Sequence, residues 1–440
     1  EDFDDEAAAA VTGIAAGELN LLVERSLLAR PAAGRYAWHR ALRRLAKERL
    51  EGSRDDGGGG DEAGASEALG DRHATYYLDA VARRAGALRG QRPQKPAAEI
   101  ERDWGNVRRA WCWAASRGRI DLLSKGLKGL SSYLLLKGPL WEGEELFGAA
   151  VCALEAQGER SDDPERAMLV ARLRTEQARF VNGQARYGEA AEIATTAIEM
   201  AQAQREAGKA AKAWTALEAA GHQERGKALW SQGAYAEATD ELEEARSQGI
   251  GAGAREVVAC SWRHLGLVAL EEGRHEIAQG ALQRALELHR HLDDRRGEAD
   301  LLNELGALAL ERQRYAEAGC RLEEALHLYQ AIGHRRGESA ARTNLTRLAD
   351  AQADYDLANA HGERALRAAR DLGDQQAEAK ALTSVALLYL HEGKNEAAWN
   401  RSLQAVELAR SRNSGFSGVS LFRSAPGYRQ VIAQTGIPVK

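Results

Sequence analysis

Proline is nearly missing from this chain, with 7 in 440 residues, and phenylalanine (5) and methionine (2) are scarcer still. Alanine, leucine, glutamate and arginine dominate instead, so the composition selects helix and leaves little strand vocabulary. Long apolar runs are missing too. The greasiest stretch, "SSYLLLKGPLW" from Ser131, falls well short of the ~20 residues that span a bilayer, and no membrane partner is expected. Positive charge is not in excess: 60 Lys+Arg stand against 65 Asp+Glu, a net charge of −5. That balance argues against nucleic acid as a partner, since phosphate neutralisation needs a basic face. Four cysteines (Cys112, Cys152, Cys260, Cys320) lie far apart without a C-x-x-C pair. They read as buried small apolar residues of a reduced, cytoplasmic protein, with no metal site. The chain opens at Glu1 with neither methionine nor a signal-peptide pattern, so it reads as excised from something longer.

What is present is repetition. Leu265-Gly266, Leu305-Gly306, Leu345-Thr346 and Val385-Ala386 recur at a spacing of forty. Ten positions on come His275, Tyr315, Tyr355 and Asn395, then Ala278, Ala318, Ala358 and Ala398, and Gly226, Tyr235 and Ala238 extend the register backwards. Each unit holds two amphipathic helices with a break such as "EEGRHEIA" between them. Glycine or alanine at 226, 266 and 306, and alanine at 238, 278, 318 and 358, meet a packing demand, because two helices approach closely only where no large side chain intervenes. The pattern resembles the tetratricopeptide repeat in a longer, ~40-residue form. The resemblance implies an all-α fold, a right-handed α-solenoid over residues 165–411.

"GHQERGKA" from Gly221 fits G-x-x-x-x-G-K and invites a phosphate-loop reading. That loop needs a strand before it and Ser/Thr after the lysine. Here a helical run precedes and Ala228 follows. The structural reading prevails.

Ahead of the repeats, Trp104, Val107, Ala110, Trp111 and Ala114 lie at helical spacing, which makes the tryptophans core. The stretch "DWGNVRRAWCW" resembles the coupling helices of signal-transduction ATPases of the STAND type, whose motif reads D-x-x-N-x-R-A-A-x-x-W. Asp103, Asn106, Arg108 and Ala110 fit it; Arg109 departs. Residues 1–50 are similar to the end of that family's winged helix, on Leu22, Arg25, Ser26, Leu27, Leu28, Tyr36, His39, Leu42 and Arg43. Physically, "ERSLLAR…GRYAWH" reads as a helix end, a short β-hairpin and a new helix from His39. In the family a histidine at the His39 position helps hold ADP; here Trp38 and Arg40 replace the usual methionine and acid. The expected layout is a partial winged helix (1–50), a flexible acidic and glycine-rich linker (51–67), a helical coupling segment (68–164), the repeats (165–411) and a tail (412–440) that either caps the last hairpin or lays Phe416, Leu421 and Phe422 in the groove.

Within each repeat the first helix should line the concave surface, on a stripe stepping i, i+4, i+7. Candidate ligand-binding residues are Gln223, Lys227, Trp230, Arg263, His264, Asn303, Glu304, Asn344 and Arg347. The stripe reads as apolar ground with a few hydrogen-bonding groups, which suits a peptide or protein segment, or a small molecule. Trp230 stands out as an aromatic where repeat packing asks for nothing so large. No acid–base–nucleophile constellation recurs, so no catalysis and no bound cofactor are expected of the chain itself. The resemblance implies ADP/ATP and magnesium in the whole ATPase, a monomeric sensor segment, and assembly on activation. Two rival readings stay open: an inducer-binding region of a transcription regulator, and a constitutive protein–protein scaffold.

Overall fold

A computed structural model describes residues 2–39, 42, 44, 60–157, 163–207 and 211–410. The expected tail (412–440), most of the linker and nearly all of the helix expected from His39 lie outside the described residues. The chain divides into two compact units, residues 1–88 with 94–173, and residues 89–93 with 174–440.

The first unit begins with β1 (Phe3–Asp4), α1 (Asp5–Thr12) and α2 (Ala16–Glu24), followed by the hairpin β2 (Leu28–Ala32) and β3 (Arg35–Trp38). The strands form an antiparallel sheet in the order β1-β3-β2. Gly34, at φ 70°, makes the hairpin turn in a region where a side chain would be strained. Ala8, Leu19, Leu28 and Tyr36 close a small core. Five helices follow: α3 (Gly60–Arg84), α4 (Gln94–Arg102), α5 (Trp104–Ser116), α6 (Ile120–Leu136) and α7 (Leu140–Ala156). Helix α3 begins inside the stretch expected to be linker, because the alanine and glutamate of "EAGASEALG" from Glu62 favour helix once Tyr77, Leu78 and Val81 anchor its far end in the core. Trp111 is core as expected, 1% exposed, with its indole N–H donating to Leu146 O at 3.0 Å. Trp104 is only half-buried and donates to Glu142 Oε1 at 3.0 Å.

The motif residues of α5 have a visible task. Asp103 pairs with Arg35 at 2.7 Å, and Asn106 Nδ2 donates to Asp2 O at 2.9 Å. Arg35, 5% exposed, also holds the Asp2 carboxylate at 3.0 Å. Burial alone would discourage its charge, but Asp2 and Asp103 keep it firmly protonated. The start of α5 is thereby tied to β1 and β3.

The second unit continues from the latter part of α8 (Pro164–Gly183) through α9 (Tyr187–Glu206), α10 (Ala211–Gln232), α11 (Tyr235–Ala252), α12 (Arg255–Glu271), α13 (His275–His291), α14 (Arg295–Glu311), α15 (Tyr315–Ile332), α16 (Arg335–Ala351), α17 (Tyr355–Asp371), α18 (Gln375–His391) and α19 (Asn395–Arg410). Consecutive helices pack as hairpins, and the first helices of neighbouring hairpins also touch, α10 with α12, α14 with α16 and α16 with α18. The small-residue register does what packing requires. A Cβ on Gly226, Gly266 or Gly306 would stand 2.8, 2.8 or 2.7 Å from Leu242, Leu282 or Leu322 of the partner helix. Ala238, Ala278, Ala318 and Ala358 are all fully buried. Turns repeat with the same period: Gly233, Gly273, Gln313, Ala353 and Gly393 all adopt positive φ where the first helix ends. The phosphate-loop look-alike, Gly221 to Ala228, lies wholly within α10.

The cysteines correct the sequence reading. Cys112, Cys152 and Cys320 are exposed and Cys260 is half-buried, because each sits beside the buried stripe of its helix and not on it. No disulfide forms among the described residues.

Candidate functional site: the inner face of the repeats

Because first helices pack on one another from hairpin to hairpin, their shared surface forms the inner curve of the repeat unit. Helices α8, α10, α12, α14, α16 and α18 contribute to it. Contrary to the expected apolar ground, this face is a ladder of paired charges and amides.

At the first rung, Glu224 is 1% exposed and accepts from Arg179 Nε at 2.9 Å and from Asn182 Nδ2 at 3.1 Å. The same amide donates to the Glu224 backbone carbonyl at 3.0 Å. Burial would push this carboxyl up, but Lys227 and Arg179 hold it down to about 2. Arg179 also pairs with Glu176 at 3.0 Å.

The second rung centres on Arg263, which pairs with Asp300 at 3.1 Å and donates from Nε to Glu304 at 2.8 Å. Tyr329 Oη donates to Asp300 Oδ1 at 2.6 Å. The two carboxylates on α14 are pushed apart: Asp300 is lowered, since Arg263 and Arg296 overcome its burial, whereas burial raises Glu304. Beside them His264, 7% exposed, donates Nδ1–H to the Cys260 carbonyl at 2.8 Å. Burial, with Arg263 and Lys227 nearby, lowers it to about 3, so the ring is neutral at physiological pH.

At the third rung Asn344 Nδ2 donates to Asn303 Oδ1 at 3.0 Å, and Arg347 reaches Asn344 Oδ1 at 3.4 Å. Further on, Asp350 meets His391 Nδ1 at 2.9 Å.

Of the residues the sequence nominates, Lys227, Arg263, Asn303, Glu304, Asn344 and Arg347 are brought together in this ladder, all half-buried. Three correct the expectation. Gln223 and His264, 3% and 7% exposed, belong to the packed interior. Trp230 is half-buried against Ala238, Leu242, Leu265 and Val268, with its ring edge-on to His264 at 6.0 Å. The repeat has room for a tryptophan because Ala238, in the packed cluster around its ring, is small. His39 is exposed, immediately after β3. Sequence reasoning missed Arg179, Asn182 and Asp300. Asp300 was recoverable, lying one helical turn before Glu304; Arg179 and Asn182 precede the point where the forty-residue register slips.

The tetratricopeptide repeat family matches residues 257–331, which run from within α12 to the end of α15 but for its last residue. The fold of the repeat unit is a tetratricopeptide-repeat solenoid. Solved structures with this fold include a Rap conjugation gene regulator of the plasmid pLS20 in complex with the Phr* peptide, at 12% identity and TM-score 0.52, covering 77% of this chain and 95% of that one. NprR in complex with its cognate peptide NprX is 14% identical at TM-score 0.51, covering 73% and 89%. A signal transduction ATPase with numerous domains and a tetratricopeptide repeat sensor, from Pyrococcus horikoshii, is 13% identical at TM-score 0.46; the match covers 99% of this chain and 62% of that chain. No curated protein matches the sequence. Among the described residues, no single helix is long and apolar enough to cross a membrane, and no cluster of side chains fits a metal ion.

Proposed function

We propose that the inner face of the repeats binds an extended peptide segment and that the chain is the sensor portion of a STAND-type signal-transduction ATPase. The observation that carries the peptide reading is the row Lys227, Arg263, Asn303, Asn344 and Arg347, set side by side by successive first helices. A primary amide offers both a donor and an acceptor, so Asn303 and Asn344 match the N–H and C=O of an extended backbone, which a helix or sheet ligand has already spent. Both peptide complexes above share the repeat fold, which supports a peptide over a sugar or nucleotide. The ATPase reading is supported by Asp103 and Asn106, which sit at motif positions and bind Arg35 and Asp2. On that reading the whole protein holds ADP/ATP with magnesium, His39 lies near the nucleotide, assembly follows ligand binding, and the protein works in the cytoplasm. The rival reading, an inducer-binding region of a transcription regulator, uses the same groove and differs only in what it controls.

Affinity selection with synthetic random octapeptides, followed by titration of the survivors, tests the groove. Asn344→Ala should weaken binding about tenfold, a loss of about 1.4 kcal/mol, with unchanged melting. Survivors that bind the Asn344→Ala and Asn303→Ala variants as tightly as the parent would place recognition elsewhere.

A further inference from the structure

Along the chain Cys260, His289 and Asp294 are unrelated residues, on α12, on α13 and at the cap of α14. The fold sets them beside one another. His289 is 5% exposed and donates Nδ1–H to Asp294 Oδ2 at 3.0 Å. Asp294 is itself held: its Oδ1 accepts the Gly297 N–H at 3.1 Å, and Arg89 reaches its Oδ2 at 3.4 Å. The other ring nitrogen, Nε2, is buried and makes no hydrogen bond among the described residues. Cys260 is the thiol beside the ring. The next repeat shows the same placement: Asp300 and Tyr329, forty residues after Cys260 and His289, meet side chain to side chain at 2.6 Å. Burial works against a charge on His289, but Asp294 and Cys260 overcome it and raise the ring to about 10. The ring is therefore an imidazolium at neutral pH, with one buried N–H unspent. Glu304, which also senses that charge, is committed to Arg263 at 2.8 Å. A sulfur anion at Cys260 is the acceptor that this N–H lacks.

We infer that Cys260 is a nucleophilic thiolate, with His289 as its proton partner and Asp294 as the positioning residue, and that hydrogen peroxide oxidises it to a sulfenic acid. A carboxylate that fixes a histidine beside a thiol is an arrangement that activates sulfur. Geometry selects the reaction. Cys260 lies inside the helix Arg255–Glu271, so the backbone N–H groups around it are spent on helical hydrogen bonds. Arg263, one turn on, is occupied by Asp300 and Glu304. A tetrahedral acyl intermediate would find no free oxyanion donor on this helix, which disfavours ester or amide cleavage. Attack on peroxide needs none, and a half-buried thiol admits so small a molecule. The sulfur lone pair attacks one peroxide oxygen, so an S–O bond forms as the O–O bond breaks. Sulfur loses two electrons and the peroxide gains them. His289 Nε2 gives its proton to the departing hydroxide, which leaves as water. None of this requires a peptide in the groove.

Thiol reactivity in the whole 440-residue chain tests this. The reduced chain is alkylated with iodoacetamide at pH 7, and its four cysteines are followed by peptide mapping. Cys260 should react at least tenfold faster than Cys112, Cys152 or Cys320, although those three are exposed. In guanidinium chloride all four should react alike. A folded-state rate at Cys260 no higher than at the other three overturns the nucleophile, and that comparison decides the matter even where a variant fails to fold. His289→Gln should remove the advantage; a parental rate in that variant overturns the proton partner. Asp294→Asn, whose amide oxygen still caps Gly297, should slow Cys260 at least threefold, and a parental rate there overturns the positioning role. Circular dichroism and the Cys320 rate should stay unchanged in both variants. Hydrogen peroxide is then added with dimedone, which traps sulfenic acids. The adduct should form on Cys260 ahead of the exposed cysteines in the parent, and not in His289→Gln. Fast alkylation without a dimedone adduct on Cys260 overturns the oxidation step.

Discussion

Asn344 donates to Asn303 at 3.0 Å from one first helix to the next, and the two are forty-one residues apart. Arg263 with Glu304 and Asp350 with His391 are separated by the same forty-one. A repeat of forty thus generates contacts at forty-one, because successive first helices lie side by side with a small offset. That offset turns a row of unlike residues into a chain of hydrogen bonds along the groove.

Glu224 should be the most sensitive position on that face. Glu224→Ala removes the buried carboxylate shared by Arg179 Nε and Asn182 Nδ2, leaving Arg179 only Glu176 and Asn182 only the backbone carbonyl, and is expected to cost about 3 kcal/mol in urea unfolding. Glu224→Gln should cost less. Because the folded carboxyl is held down to about 2, its contribution is present above the unfolded carboxylate range near 4.5 and fades as pH falls towards 2. A Glu224→Ala variant as stable as the parent at pH 7 would refute the buried pairing.

Trp230→Ala should lower stability by about 2 kcal/mol, as expected for a half-buried aromatic packed on Leu242, Leu265 and Val268. Any loss of ligand binding should be traceable to that destabilisation, since Trp230→Phe should restore both. Unchanged melting of the alanine variant would return Trp230 to the groove surface.

Stability should peak near neutral pH. His264 and His334 are 7% and 5% exposed and stay neutral to about 3, lowered chiefly by burial. Unfolded histidines protonate near 6.5, so each contributes a loss of about 1.4 kcal/mol per pH unit as pH falls below that value. His289 behaves oppositely. Burial works against its charge, yet Asp294 at 3.0 Å raises it to about 10. Its contribution is complete below about pH 6.5 and is lost as pH rises towards 10. Chemical denaturation from pH 4 to 10 should show both limbs, and His289→Gln should flatten the alkaline one.

Gly297→Ala is expected to destabilise by about 2 kcal/mol, because its Cβ would fall 2.0 Å from His289 Nδ1, whose ring is held by Asp294. The exposed Gly280, with nothing within 4 Å of an added Cβ, should tolerate alanine or gain slightly. Equal melting temperatures for the two variants would contradict the packing described here.

The purified chain should not turn over ATP. Lys227 of "GHQERGKA" lies within α10, with Glu224 as its partner and Ala228 where a magnesium-binding hydroxyl would be needed. Hydrolysis above that of a heat-killed control would overturn this expectation.

The helical hairpins, their period and their tight contacts were all legible in the residues. Gly226, Gly266 and Gly306 can only mean a helix crossing too close for a side chain, and a forty-residue recurrence can only stack. The hairpin at Leu28–Trp38 was legible for a similar reason, since Gly34 supplies a turn that most residues avoid. The chemistry of the groove was decided by tertiary structure. Arg263 and Glu304 look like isolated surface charges along the chain, and Asn182 and Glu224 fall on either side of an irregular spacing. Whether such residues face solvent, a partner or a ligand depends on the rotation of each first helix and the offset between neighbours. Those are set by how whole hairpins pack, a long-range property that local periodicity does not encode. Trp230 shows the same limit: its helical position was readable, but the space waiting for its ring was made by Ala238 and Leu242 on α11 and by Leu265 on α12.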